Sequence, residues 1–279
     1  MIDVISIQSQ VVYGHVGNSA AVFPMQAKGL EVAAIPTALL SNHPHYPTMH
    51  GKVLEPDLVK GLLRGVEERR LVETAKVIVT GYLGSVENGT VVAEFVARAL
   101  KRNPKLVYVC DPVMGDDDLG IFVKEGLIKL FRERLTLMAA IVTPNQFELE
   151  LLAGNKARSA AGLDEAMHIL ARRGTGAAAV TGCVLDDTPV QSVETAVWTP
   201  NGLTRTCIPR LPIRPCGTGD LFTALMIARL CDGCDLHEAG AGATEEILAI
   251  LRRTEAAGSQ EMQITGFPFI PVKTTDAQP

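Results

Sequence analysis

Residues 76–110 read KVIVTGYLGSVENGTVVAEFVARALKRNPKLVYVC, and this stretch decides the fold. An apolar run, KVIVTG (76–81), is followed by a helical pattern near 87–102 and then by a second apolar run, KLVYVC (105–110). Near-continuous Val, Ile and Ala runs suit strands covered on both faces, and a helix joining two such strands sets them parallel. The same alternation continues outward. VISIQ (4–8) and EVAAIPT (31–37) come before this unit, and AAIVT (139–143) and GAAAVT (176–181) come after it. Helical patterns near 17–28, 56–70, 123–134, 145–153 and 163–173 fill the gaps. The sequence therefore predicts an α/β, doubly wound, mostly parallel central sheet flanked by helices.

After residue 181 the alternation stops. QSVETAVWT (191–199) and LTRTCIP (203–209) flank Pro200-Asn201-Gly202, which predicts an antiparallel hairpin at one sheet edge. Two helices are expected at about 218–231 and 235–255, the first so apolar (LFTALMIARL) that it must be buried on most sides. The tail from Phe267, FPFIPVKTTDAQP, reads as irregular and partly disordered. No repeat or linker divides the chain, so residues 1–266 are expected to form one domain and 267–279 a tail.

Composition narrows the function classes. The 279 residues carry a net charge of −5 with Lys and Arg scattered, which lacks the basic footprint of a nucleic-acid partner. MIDVISIQSQ starts with an acidic residue and a strand pattern rather than a signal peptide, and no apolar run has the length of a membrane span. A cytoplasmic protein is expected. Its six cysteines, Cys110, Cys183, Cys207, Cys216, Cys231 and Cys234, then read as reduced and mostly buried. Cys231 and Cys234 have C-x-x-C spacing, but no second pair or nearby His completes a zinc site.

In such sheets ligands sit beyond the carboxyl ends of the strands, so the polar residues after each strand are the candidates. Ser9 and the loop Gly14-His15-Val16-Gly17-Asn18 follow the first strand. Their glycines lack G-x-G-x-x-G spacing, and no acidic residue ends the second strand, which disfavours an NAD enzyme; tight turning explains them as well as phosphate contact does. After the fourth strand, Asp111 and the loop acids Asp116, Asp117 and Asp118 offer hard oxygen ligands for Mg²⁺, although Asp117 and Asp118 fit a solvated turn better. After the fifth strand, Asn145 with Glu148 three residues on fits a helix capping box, a complete structural role that can coexist with holding the water shell of Mg²⁺. His43, His45 and His50 lie in a Pro-rich loop whose spacing fits no usual metal pattern, so a substrate-covering loop is preferred there.

The remaining candidate is Arg214-Pro215-Cys216-Gly217-Thr218-Gly219-Asp220 at the start of the buried helix. Its glycines let amides converge at a positive helix end, where growing negative charge is stabilised. Asp220 can be a base for a hydroxyl, or a first-turn acid contributing about 0.3–1 kcal/mol to the helix. From local chemistry the two readings stand side by side.

Taken together, IQSQVVYGHVGNSAA, LLSNHPHY, TGYLGS, YVCDPVMGD, IVTPNQFELELL and GTGDLF resemble the pyridoxal kinases of the ribokinase-like superfamily, in order and over most of the first 225 residues. The resemblance implies a ribokinase-like fold and transfer of the γ-phosphoryl of ATP to the 5′-hydroxyl of pyridoxal, with pyridoxine and pyridoxamine as further substrates. It makes Asp220 the base and Gly217, Thr218 and Gly219 the anion hole. It puts Ser9, Val16, His43, Pro44, His45 and Tyr82 around the vitamin. Asp111, Asp116, Asn145 and Glu148 would manage Mg²⁺ and phosphates, with Asp111, Asp116 and Glu148 as metal ligands. Thr143 and Thr181 would face the nucleotide. A monovalent cation, commonly K⁺, and a homodimer are implied as well. At Pro44 this family usually has a threonine, so the loop loses a hydrogen-bond donor and stiffens. The segment 182–216 matches weakly and its adenine contacts go unnamed. A hydroxymethylpyrimidine kinase of the same superfamily, or a non-catalytic binder of pyridoxal phosphate, are the alternatives; the IQS-VVYGHVGN opening argues against the first and Asp220 against the second.

Overall fold

The computed structural model describes residues 2–271 of the 279. The chain runs β1 (Val4–Val11), α1 (Asn18–Ala27), β2 (Val32–Leu40), β3 (Gly51–Val53), α2 (Pro56–Glu68), α3 (Leu71–Thr74), β4 (Val77–Thr80), α4 (Val86–Arg102) and β5 (Val107–Cys110). Next come β6 (Gly115–Asp116), β7 (Gly120–Ile121), α5 (Glu125–Leu130), a π-helical segment (Phe131–Leu135), α6 (Thr136–Met138), β8 (Ile141–Val142), α7 (Gln146–Ala153) and α8 (Ala160–Arg173). β9 (Ala177–Cys183), β10 (Ser192–Thr199), β11 (Gly202–Pro209), α9 (Thr218–Cys231) and α10 (Leu236–Ala256) complete it.

Nine strands form one sheet in the order β11-β10-β9-β8-β5-β4-β1-β2-β3. From β9 to β2 the neighbours are parallel. β10 and β11 form the expected antiparallel edge hairpin, joined at Thr199 and Gly202, and β3 adds an antiparallel strand at the other edge. The order reverses at β1, which lies between β2 and β4. This opens the crevice beyond the carboxyl ends of the strands where open α/β sheets take ligands.

Alternation along each strand divides the core into two layers. Ile5, Ile7, Ile78, Tyr108 and Cys110 point into one cluster with Phe95 of α4 and Met167 of α8. Val4, Val77, Val79 and Val109 point into the other, with Met25 of α1, Leu225 of α9 and Ile250 of α10. All of Leu221 through Ala228 in α9 is buried, as its apolar sequence requires. Ser6 and Gln8 would be costly polar intrusions in β1 without partners. They are satisfied in a chain: Gln8 Nε2 donates to Ser6 Oγ at 3.0 Å, Ser6 Oγ donates to Asn18 Oδ1 at 2.7 Å, and Asn18 Nδ2 donates to the main-chain carbonyls of Gln8 and Ile35 at 3.2 Å.

The structure differs from the expected elements where side-chain capping, not periodicity, sets the ends. α8 starts at Ala160 because Ser159 Oγ accepts from the Gly162 amide at 3.1 Å. The helix expected over 123–134 passes into the π segment, where Thr136 Oγ1 donates to the Phe131 carbonyl at 2.9 Å. β3, β6 and β7 are too short to show any period. Residues 267–271 are irregular as expected, but Phe269 is buried in the second core layer, edge-on to Phe23 at 6.0 Å. The rest of the expected tail, 272–279, lies outside the described residues. Of the six cysteines, expected to be mostly buried, only Cys110 and Cys183 are; Cys207 is exposed and the others half-buried, because they fall on loops, helix ends and the sheet edge. Among the described residues no helix is long and apolar enough to cross a membrane.

Candidate active site

The start of α9 is built backbone against backbone. Gly217 has φ 80° and ψ 10°, and a Cβ there would sit 1.7 Å from the His15 carbonyl oxygen, so only glycine fits. Gly17, in the facing loop, has φ 55°, and a Cβ there would lie 2.3 Å from the Ser9 carbonyl. A Cβ on Gly219 would meet nothing within 4 Å, so the turn is open on that side. Asp220 follows on the first turn. Burial pushes its carboxyl up to about 6, and the Gly17 amide pulls the other way.

Two further carboxylates converge on Asp220. Asp111, just after β5, is buried and held well above the ordinary range, first by desolvation and then by the charges of Asp220 and Glu148. Glu148, in the first turn of α7, is pushed up to about 8 by burial, against the pull of three backbone amides. Its Oε1 accepts from Met114 N at 2.8 Å and Gly115 N at 3.4 Å; its Oε2 accepts from Asn145 N at 2.9 Å. Asn145 Oδ1 in turn accepts from Glu148 N at 2.8 Å, so the capping box is present. Among the described residues the Asp111 side chain has one hydrogen-bond partner, the Thr223 hydroxyl 3.4 Å away, whose shorter bond is to Thr143 Oγ1 at 2.9 Å. Three mutually repelling carboxylates at the end of a sheet are a hard-oxygen donor set that fits Mg²⁺. Asp111 has free oxygens for direct ligation, whereas Glu148, with both oxygens on amides, suits the water shell.

The neighbouring acids have other partners. Asp116 Oδ1 accepts from the amides of Asp118 at 2.9 Å and Leu119 at 2.6 Å, which closes the β6–β7 turn. Asp117 makes a two-pronged pair with Arg158 at 2.8 and 3.1 Å, and Asp118 pairs with Arg214. Both acids are exposed, as the expected solvated turn requires, and distant arginines pair with them at the surface. Thr181 is half-buried at the end of β9, and its amide donates to the Pro144 carbonyl at 3.0 Å.

On the other side, Val16 and Tyr82 follow the carboxyl ends of β1 and β4, whereas Ser9, expected after the first strand, lies within β1 because that strand runs on to Val11. Ser9 is buried, and burial raises the Tyr82 phenol. His43 is buried, while Pro44 and His45 are exposed. His43 and His45 line a cavity of about 370 Å³ with Tyr46, Arg214 and Cys216. Sequence reasoning missed the residue that holds this side together. Glu261 is buried and accepts from His15 N at 3.1 Å and from Tyr46 Oη at 2.7 Å, and it contacts His43 Nε2 at 2.8 Å. No local signal marks it, since it lies 218 residues from His43 in an irregular segment. Cys216 was also passed over; its Sγ lies 3.1 Å from His45 Nδ1, and burial with neighbouring carboxylates pushes the thiol up to about 11.

The family model for phosphomethylpyrimidine kinase matches residues 17–265. A pyridoxal kinase of Rubrobacter xylanophilus is 39% identical over 94% of this chain and 91% of its own length. A pyridoxine/pyridoxal/pyridoxamine kinase of Bordetella avium is 38% identical over 94% and 88%. The pyridoxal kinase of Leishmania donovani, solved with ADP and pyridoxine, superposes with a TM-score of 0.87 at 29% identity, covering 95% of this chain and 94% of that one.

Proposed function

Because this chain belongs to the phosphomethylpyrimidine kinase family, with pyridoxal kinases among its relatives, we propose that it transfers the γ-phosphoryl of ATP to the 5′-hydroxyl of pyridoxal, with Asp220 as the base. The observation that carries the residue roles is the meeting of Asp220 with a turn that only Gly217 can make, opposite Asp111 and Glu148. In this reaction the hydroxyl oxygen attacks the γ-phosphorus, the bond to the β-phosphate oxygen breaks, and ADP leaves. Little covalent work falls to the protein; it must orient the alcohol, take its proton and offset spreading charge. Asp220 takes the proton, and its raised proton affinity brings it nearer that task at neutral pH. The amides of Gly217, Thr218 and Gly219 face the transferring group. Asp111 and Glu148 would hold Mg²⁺, which supplies charge neutralisation at the phosphates; Asp116 stands further out, committed to its turn. Thr143, Asn145 and Thr181 face the nucleotide.

Ser9, Val16, Pro44 and Tyr82 bind the vitamin, with Tyr82 offering a ring face to the pyridine, and His43 and His45 close the rim of its cavity. Glu261 fixes the His43 ring and so positions this wall. Pyridoxine and pyridoxamine share the 5′-hydroxyl and are substrates on the same grounds. A monovalent cation such as K⁺, a homodimer and a cytoplasmic location complete the reading.

The test measures ADP release with MgATP and each of pyridoxal, pyridoxine, pyridoxamine and hydroxymethylpyrimidine. Pyridoxal should support turnover, and Asp220→Asn should lower kcat by about 10²–10⁴-fold, the usual worth of a positioned acid or base. Turnover with hydroxymethylpyrimidine but none with pyridoxal would overturn the substrate; near-normal turnover in Asp220→Asn would overturn the base.

A further inference from the structure

The loop that carries His43 and His45 meets the residue just before the anion turn. His45 Nδ1 lies 3.1 Å from Cys216 Sγ, across 171 residues of sequence. One ring nitrogen from each histidine and the Cys216 sulfur all fall within 4.8 Å of one another. Two imidazoles and a thiol make a borderline-soft donor set, poorly suited to Mg²⁺ and well suited to Zn²⁺.

His43 supplies the independent observation. It is 6% exposed, and its Nδ1 is buried with no hydrogen-bond partner among the described residues. Leaving a buried polar atom unpaired costs about 1–3 kcal/mol, so an orphan of this kind asks for a missing partner. The other nitrogen, Nε2, sits 2.8 Å from the Glu261 carboxylate. A carboxylate on one ring nitrogen fixes the proton there and turns the opposite lone pair outward, which is the usual second support of a metal-bound histidine. The two rings stand edge-on, 5.6 Å apart at 86°. The surroundings also favour a cation, since Glu261, Asp116 and Asp220 all act electrostatically on Cys216.

We propose that His43, His45 and Cys216 form a Zn²⁺ site at the rim of the substrate cavity, with Glu261 orienting His43. Three protein ligands leave the fourth position of a tetrahedral ion open to water. Bound there, the ion joins the histidine loop to the turn that begins at Gly217, because Cys216 directly precedes it. The C-x-x-C pair Cys231 and Cys234 offers no comparable cluster among the described residues. Binding at this site does not depend on the reaction proposed above.

Titration of the metal-free full-length chain with Co²⁺, without nucleotide or substrate, tests the site by the sulfur-to-cobalt charge-transfer absorption and by the number of equivalents bound. The expected result is one equivalent per chain, an intense thiolate band, and displacement by Zn²⁺. Cys216→Ser should abolish the band. His45→Ala, at an exposed position where the fold tolerates the change, should weaken binding at least tenfold, and Glu261→Gln about 10–100-fold, the usual cost of losing a ligand's support. Cys231→Ser should bind as the unaltered chain does. A band that survives Cys216→Ser or His45→Ala unchanged, a band lost in Cys231→Ser, or no tight cobalt at all would overturn the proposal.

Discussion

Gly217 and Gly219 stand two residues apart in one short motif and have different jobs. At Gly217 the left-handed φ of 80° and the His15 carbonyl 1.7 Å from any Cβ both exclude a side chain. At Gly219 a Cβ would enter open space. Left-handed backbone alone costs an L-residue about 1–2 kcal/mol, and the overlap adds to it. Gly217→Ala should therefore lower the melting temperature by at least about 2–4 °C. Displacing the amides should also cut turnover by about 10²–10³-fold, the worth of a lost anion-hole donor. Gly219→Ala should melt with the unaltered protein; scanning calorimetry on the pair decides, and equal melting temperatures would sink the argument. The glycine-rich motif was legible as a turn in the sequence, but which glycine is irreplaceable was not, because the obstructing oxygen belongs to residue 15.

The start of α7 carries two roles that can be separated. Asn145 caps the helix through Glu148 N, and its Nδ2 also donates to the Gly115 carbonyl at 2.7 Å, tying the β6–β7 hairpin to the site. α10 has an equivalent box, Asp235 with Glu238 at 2.9 and 3.1 Å, on the exposed surface. Losing an N-cap costs about 0.5–2 kcal/mol. Asn145→Ala and Asp235→Ala should destabilise by similar amounts in urea unfolding, but only Asn145→Ala should raise the KM for ATP. Equal kinetic effects would show that α7 is merely a capped helix. The Asn145 box, the strand-helix alternation and the edge hairpin were readable because caps and periods are local. β3, β6 and β7 were not, since strands of two or three residues acquire meaning only from the neighbour they pair with.

Across the whole molecule, β5, α7 and α9 deliver Asp111, Glu148 and Asp220 to one place. All three are raised above their ordinary values, Asp220 to about 6 and Glu148 to about 8, so the folded state holds protons that the unfolded chain has released. Where the native state binds more protons, stability falls as pH rises. The metal-free protein should thus lose melting temperature between about pH 5 and about pH 8, and Asp111→Asn should flatten the decline by removing one charge; an unchanged slope in that variant would refute the coupling. The fold class, the candidate base, the cap at Asn145 and the kinase resemblance were determined by the sequence alone, because periodicity, capping and motif spacing act over a few residues. The tertiary structure alone decided that Asp117 and Asp118 pair with arginines, that Glu261 holds both loops of the substrate side, and that Cys216 faces two histidines. Those contacts depend on where distant segments meet beyond the sheet. Their energies come from burial and charge proximity, which no local pattern encodes.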